Sequence, residues 1–417
     1  MQAFPPAPDV EFRVDGPKPR RRAPFIALYL ADAGSMLGNA LSELAIPWFV
    51  LATTGSAAKT GLTALAGLLP LIPAGLFAGV FVDRLGLRRA SLMADLASLV
   101  SVGLIPLLYR LDSLPFWLLW VLVFAGASLD VPGATARAAL LPDLAEMAGL
   151  NLERANSIHE VIESGAGLVG PIVAGVLIGM VGAGTVLWAD ALSFGLSAAL
   201  IALFIPPSNR HTVEPSSPYR SDFNRGLRFV LGDGPIRAIF ASATVINFAI
   251  LPMLAVLLPY YMKTVAHSSA SLGFTVGAFG LGSVLGAIFF GVLGHRWPRR
   301  SVLLIGIAAL GAGFSLLALP LPAWGMALSL FLGGLIAGPN GPLISTILQE
   351  RTPPELRGRV FGITTAVGYA GAPLGVLVAG YLIQVIGVRW SMASFIPVFV
   401  VTTLALVLDQ GLRALDE

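Results

Sequence analysis

Gly79-Val80-Phe81-Val82-Asp83-Arg84-Leu85-Gly86-Leu87-Arg88-Arg89 closes one long apolar run and opens another. Nowhere else do an acid, two glycines and three arginines fall within so short a stretch between apolar runs. A weaker echo follows, Gly291-Val292-Leu293-Gly294-His295-Arg296-Trp297-Pro298-Arg299-Arg300. Two such marks imply one unit written twice.

The composition around them describes a chain built for lipid. Hydrophobic residues make up 56% and charged residues 12%, where soluble domains carry about 25% charge. A soluble fold of this composition would expose apolar surface almost everywhere, so the chain reads as a polytopic membrane protein. The absence of Cys excludes a disulfide framework, Cys-ligated zinc and iron–sulfur clusters. Four scattered histidines make a His-built metal site unexpected. Neither a metal nor a cofactor is expected.

Runs of about 20 apolar residues are the unit of crossing. Cut at charges and turn residues, they predict twelve helices, near 24–53, 58–82, 90–111, 114–139, 154–181, 184–205, 236–263, 270–294, 301–320, 323–349, 360–386 and 389–410. The runs lack the alternation of barrel strands and exceed their length. Of the 26 Lys and Arg, loops on one side hold only Lys59, Arg110, Lys263 and Arg389. That bias predicts both termini in the cytoplasm. It also explains the net charge of +3 without a nucleic-acid partner, because the basic side faces an anionic leaflet. Residues 1–23, with Lys18-Pro19-Arg20-Arg21-Arg22, read as a disordered cytoplasmic arm rather than a signal peptide.

The longest polar segment, 206–234, carries Pro206, Pro207, Pro215 and Pro218 and reads as a cytoplasmic linker. Within it, residues 223–232 have the pattern of a short amphipathic interfacial helix. The linker separates a six-helix bundle at 24–205 from a second at 235–411, followed by a tail at 412–417. The halves repeat. Gly79, Arg84 and Arg88 match Gly291, Arg296 and Arg300 at an offset of 212. Gly170, Gly175, Gly182 and Arg154 match Gly375, Gly380, Gly387 and Arg359 at 205. The expected fold is an all-α membrane protein of twelve transmembrane helices in two pseudo-symmetric six-helix bundles.

Here the residues carry a resemblance. Gly79-x-x-x-Asp83-Arg84-x-Gly86-x-Arg88-Arg89 resembles the loop 2–3 signature of the major facilitator superfamily. The second copy departs from it, with His295 in place of the acid and Trp297-Pro298 in place of the turn. The resemblance implies the major facilitator fold and a loop that latches one conformer. Without the family, Gly86 permits the positive φ of a tight turn. Asp83 suits a helix start or an arginine partner, and Arg84, Arg88 and Arg89 suit lipid phosphates or nearby acids.

Gly170-Pro171-Ile172-Val173-Ala174-Gly175 resembles the Gly-Pro motif of drug:proton antiporters in that superfamily; ordinary close packing by small residues is the plainer reading. Leu44-Ala45-Ile46-Pro47-Trp48, Asn156 to Glu160, Asp190-Ala191-Leu192-Ser193-Phe194 and Leu356-Arg357-Gly358-Arg359-Val360 resemble the third drug:proton antiporter family, which includes macrolide- and tetracycline-type efflux pumps. Where several members carry an acid in the first span, Asn39 stands here, and Glu43 lies one helical turn on. Gly165-Ala166-Gly167-Leu168-Val169-Gly170 fits a dinucleotide fingerprint but lies inside an apolar helix, with no strand before it.

Acids inside spans cost a few kcal/mol at the bilayer centre and mark functional sites by default. The first half has Asp32, Glu43, Asp95, Asp130, Glu160, Glu163 and Asp190; the second has none well inside. A medium poor in water disfavours ionised carboxyls, which suits a reversible proton carrier. Glu163, about 14 Å along its helix at 1.5 Å per residue, is expected near mid-membrane, with Glu160 about 10 Å along. Arg137, seven residues after Asp130, is expected to pair with Glu160 or Asp130, and Asp95 with loop arginines. The proton or cation sites expected are Glu163, Glu160, Asp32, Glu43, Asp130 and Asp190, with Arg137 as their partner. Asn39, Trp48, Phe248, Met253 and Tyr369 are expected in a substrate cavity; Trp117 and Trp120 are expected in an interfacial belt.

The expectation is a monomeric bacterial inner-membrane efflux transporter, not an enzyme. It exports amphiphilic small molecules against protons by alternating access. A dedicated exporter or flippase for a siderophore or lysophospholipid is the alternative, and a non-transporting receptor the more distant one.

Overall fold

The computed structural model describes residues 22–206, 227–293, 297–353 and 357–415. All but the last two residues of the expected arm, most of the linker, His295, Arg296 and the chain's last two residues lie outside them. So do the surroundings of Gly79 and the side chains of Asp83 and Arg359. Regular structure among the described residues is helical throughout.

The first half begins with α1 (Ala23–Thr54), opened by Pro24 and closed by Gly55, whose N–H bonds to Leu51 O. The second crossing is two pieces, α2 (Ala57–Leu68) and α3 (Leu71–Leu85), parted at Leu69-Pro70. Then come α4 (Leu87–Arg110), α5 (Phe116–Ala148), α6 (Leu152–Val181) and α7 (Ala183–Phe204). Within this half α1 packs chiefly on α7, and α4 on α5 and α7.

The second half opens with α8 (Gly234–Pro252), capped by Asp233 accepting from Ile236 N–H at 3.0 Å. A π-helical turn, Met253–Leu257, joins it to α9 (Leu258–Thr264). Then follow α10 (Ser269–Leu293), α11 (Arg299–Leu316), α12 (Ala323–Ala337), α13 (Asn340–Arg351), α14 (Arg357–Tyr369), α15 (Ala372–Ser394) and α16 (Ile396–Leu408). The π turn was not legible in the sequence; Pro252 and Pro259 bracket it.

Eleven stretches among the described residues are long and apolar enough to cross a membrane. The last, Ala366–Leu408, has 43 residues, about 65 Å of helix against a hydrocarbon core of about 30 Å. It makes two crossings, because Gly387 breaks the helix with φ 76° and ψ 164°. The total is twelve.

Gly387 also carries the internal repeat into three dimensions. Its equivalent, Gly182, has φ 82° and ψ 154° and turns α6 into α7 through one residue. Only glycine adopts this region readily. Gly86 makes the same turn between α3 and α4, as the sequence predicts. The arginines repeat too. Arg88 Nη2 donates to Ala202 O at 2.6 Å, and Arg300 Nη2 donates to Val407 O at 2.7 Å. Donors and acceptors are related by the same offsets, 212 and 205. Each arginine satisfies a carbonyl in the last turn of a helix, where orphan acceptors and the helix dipole favour a cation. The expectation that Arg88 reaches lipid phosphate or an acid is thereby corrected. It clamps its own half, while Arg84 and Arg89 stay exposed.

The halves meet along two seams, α2–α3 with α14–α15 and α6 with α10. At the end of the bundle away from the termini both are tight. A Cβ built on Gly175 would lie 2.8 Å from Gly273 Cα, and one on Gly61 would lie 2.6 Å from Val376 O. Lys263 Nζ sits 4.9 Å from the ring centre of Trp48, tying the second half to the first. Gly170, at its close approach to Ala40, and Gly175 both act here as packing residues. The Gly-Pro motif thus forms part of the seam around Pro171.

Candidate transport site

Polar residues inside the first half form two layers. Three helices each supply a pair seven residues apart: Asp32 and Asn39 on α1, Asp130 and Arg137 on α5, Asp190 and Ser197 on α7. Seven residues are two turns, so each pair shares a face at an axial spacing of about 10 Å. The first members on one helix join the second members on the next because α5 and α7 run against α1.

The layer nearer the bundle centre borders a cavity of about 280 Å³, near the lower end of the ~300–1,000 Å³ usual for small-molecule sites. Its polar lining includes Glu43, Asp130, Asp190, Asn39 and Ser42; among the described residues no Lys, Arg or His lines it. Ile46, Leu68, Ile105 and Phe194 give apolar walls, and Ala255 of the π turn closes it from the second half. Asn39 Nδ2 donates to Asp130 Oδ1 at 3.0 Å, and Ser42 Oγ donates to Asp190 Oδ2. Asp190 is fully buried, and its Oδ1 has no hydrogen-bond partner among the described residues. Glu43 is exposed to the cavity.

The second layer lies nearer the termini and is dry. Arg137, 4% exposed, donates from Nε to Asp32 Oδ1 at 2.9 Å and from Nη1 to Asp95 Oδ1 at 3.0 Å. Its Nη2 reaches Ser35 Oγ at 3.3 Å. Ser197 Oγ donates to Asp95 Oδ2 at 2.6 Å. His159 Nδ1 lies 2.9 Å from Asp32 Oδ2. One guanidinium is thus shared between two buried carboxylates, the arrangement that makes a buried arginine tolerable.

Several expectations are corrected. Arg137 pairs with Asp32 and Asp95, not with Glu160 or Asp130, because α1 and α4 close over its end of α5. Asp95 is a buried acid at the centre of the bundle rather than an interfacial one. Glu160 and Glu163 are exposed and border neither layer directly; Glu163 comes 3.9 Å from His159. Of the residues expected in a substrate cavity, Asn39 lines it. Met253 is fully buried in packing, Trp48 lies under Lys263, Phe248 packs at a tilt against Phe395, and Tyr369 is half-buried at the end of α14. Sequence reading missed His159, which it set aside as one of four scattered histidines. The spacing of seven on α1 and α7, noticed only on α5, was the available signal.

A twelve-helix bundle of two repeated halves, closed over a polar chamber, is the architecture of a membrane transporter. The chain belongs to the Major Facilitator Superfamily, whose family model matches residues 28–263 and 240–411. That membership makes it a transporter and not an enzyme. It is 34% identical over 403 residues to the multidrug efflux pump Tap of Mycobacterium tuberculosis (strain ATCC 25618 / H37Rv), covering 95% of each chain. It is 23% identical over 383 residues to macrolide efflux protein A of Streptococcus pyogenes, covering 89% of this chain and 92% of the other. The crystal structure of the nucleoside transporter NupG superposes with a TM-score of 0.76 at 12% identity, over 93% of this chain and 98% of the other. That likeness concerns the fold alone.

Proposed function

We propose that the protein is a secondary active efflux pump of a bacterial cytoplasmic membrane, exporting amphiphilic cations in exchange for protons. One observation carries the reading: Glu43, Asp130 and Asp190 meet in a chamber with apolar walls and, among the described residues, no lining cation. Carboxylates in such a chamber need a positive partner. A lipophilic cation and a proton both satisfy that need, and one excludes the other. Exclusion at a shared site is what makes antiport obligatory. The similarity to pumps named for multidrug and macrolide efflux supports an amphiphilic substrate.

In this reading 24–205 and 235–411 rock as units about the chamber, with both termini in the cytoplasm. The tight seam at Gly175 and Gly273 and the Lys263–Trp48 contact then close the outer mouth. Opening that mouth admits protons to the acids and releases the cargo.

The test is proton flux driven by ethidium in proteoliposomes of the purified protein. Glu43→Gln and Asp130→Asn each lower ethidium-driven proton movement by about tenfold or more, the scale set by removing one charge-assisted contact. Ethidium transport indifferent to an imposed pH gradient would overturn antiport. Undiminished flux in both variants would overturn the chamber as the shared site.

A further inference from the structure

We infer that His159 is the proton outlet of the buried layer, passing a proton between Asp32 and the exposed Glu163. The inference rests on the antiport reading and adds a coupling residue to it. His159 stands on the boundary between dry and wet surroundings. Its ring is 27% exposed, between Asp32 at 5% and Glu163 at 63%. Nδ1 is at hydrogen-bond distance from Asp32 Oδ2, 2.9 Å. Nε2 faces Glu163 Oε2 at 3.9 Å, beyond a direct hydrogen bond and within the reach of one bridging water. The two nitrogens therefore address two carboxylates on opposite sides of the boundary.

Charge counting gives this geometry a purpose. The cluster holds two acids, Asp32 and Asp95, and one arginine. Buried charges persist only when balanced, so the cluster is one positive charge short. A single proton, on His159 or on an acid, completes it. In the transfer, the Asp32 O–H bond breaks as an N–H bond forms at Nδ1. The Nε2–H bond breaks as an O–H bond forms toward Glu163. One proton moves, the ring ends neutral, and no electrons change hands. Imidazole is suited to the step because each nitrogen either donates or accepts.

Other charged groups on the packed elements leave this role to His159. Besides Asp32, α1 brings Glu43, in the chamber layer, and Tyr29, whose hydroxyl donates to Ala155 O at 2.5 Å. From α5 come Asp130, Arg137, Asp143 and Glu146; α7 brings Asp190, in the chamber layer. No titratable side chain lies on α10. On α6 itself Arg154, Glu160 and Glu163 are exposed.

The experiment uses the full chain in proteoliposomes with ethidium as probe. Two rates are read, transport driven by a pH gradient and counterflow at equal pH, where no net proton moves. His159→Gln keeps a hydrogen bond without carrying a proton. His159→Arg keeps the positive charge without releasing it. Both are expected to lower gradient-driven transport about tenfold or more, within the range of lost acid–base catalysis. Both are expected to keep counterflow within about twofold, a change below half a kcal/mol, and to flatten the pH profile. Glu163→Gln slows gradient-driven transport and keeps counterflow. A wild-type rate and pH profile in His159→Gln overturns the inference. So does a parallel loss of both rates in the two His159 variants with Glu163→Gln unchanged, since that is the behaviour of a structural residue. If wild-type counterflow at equal pH persists but an imposed pH gradient drives no transport, the antiport reading fails first, and is seen to fail separately.

Discussion

The two halves share a skeleton and differ in their interiors. Both turn between their last two crossings on one positive-φ glycine, Gly182 and Gly387, and both clamp a terminal carbonyl with one arginine, Arg88 and Arg300. Inside, the first half buries Asp32, Asp95, Asp190 and Arg137. Buried polar side chains of the second half among the described residues are serines and threonines. Most of these bond a carbonyl three or four residues back on their own helix, as Ser242, Thr275, Ser391 and Thr402 do. Such bonds need no partner helix. The difference teaches that the repeat keeps what shapes the backbone, while buried charges among the described residues are confined to one copy. The second half supplies Ala255 to the chamber wall.

The largest break in this comparison comes from removing the shared cation. Arg137→Ala takes the shared guanidinium from the buried Asp32 and Asp95, leaving them only His159 and Ser197, with an expected loss of about 3–5 kcal/mol. The reading is thermal unfolding of the detergent-solubilised protein, set beside Thr402→Val in the second half. That substitution is expected to cost under about 1 kcal/mol, because it removes one local hydrogen bond.

A smaller effect tests the shared skeleton. Gly182→Ala and Gly387→Ala each force a side chain into a glycine region, at about 1–3 kcal/mol. Neither added methyl meets another atom within 4 Å, so the two costs should agree. A large inequality would break the equivalence of the halves. Gly175→Ile acts at the seam between the halves, where overpacking costs about 1–3 kcal/mol. It should slow transport more than it lowers the unfolding temperature if the halves rock as proposed, because a cycle that opens this seam must re-form the close approach to Gly273. The smallest effect is expected from Lys263→Gln. The cation–π contact with Trp48 contributes about 0.5–1 kcal/mol, so the closed population should fall a few-fold. Spin-label distances across the end of the bundle away from the termini would register it.

Much of this was legible beforehand. Twelve crossings, the repeat offsets and the turn at Gly86 follow from apolar run lengths and glycine stereochemistry, both local properties. The confinement of acids to the first half was equally plain. Their partners were not. Asp95 read as interfacial because only four residues separate it from Ala90, where the apolar run was expected to begin, yet α4 brings it within 3.0 Å of Arg137. Glu163 read as central because distance along a helix says nothing of which face meets the bundle. Met253 read as a cavity residue from its type, while at the start of the π turn it is fully buried in packing.

By itself, then, the sequence determined the medium, the number of crossings, the two-fold repetition and the half that holds the charge. Lipid enforces these through the cost of every unsatisfied backbone or ionic group. Tertiary structure alone decided which acids share Arg137, which face the chamber and where His159 stands. Those relations join residues 105 and 42 positions apart, as in the pairs of Arg137 with Asp32 and Asp95. They depend on helix rotation and tilt, which arise from packing between helices rather than from the pattern along any one of them.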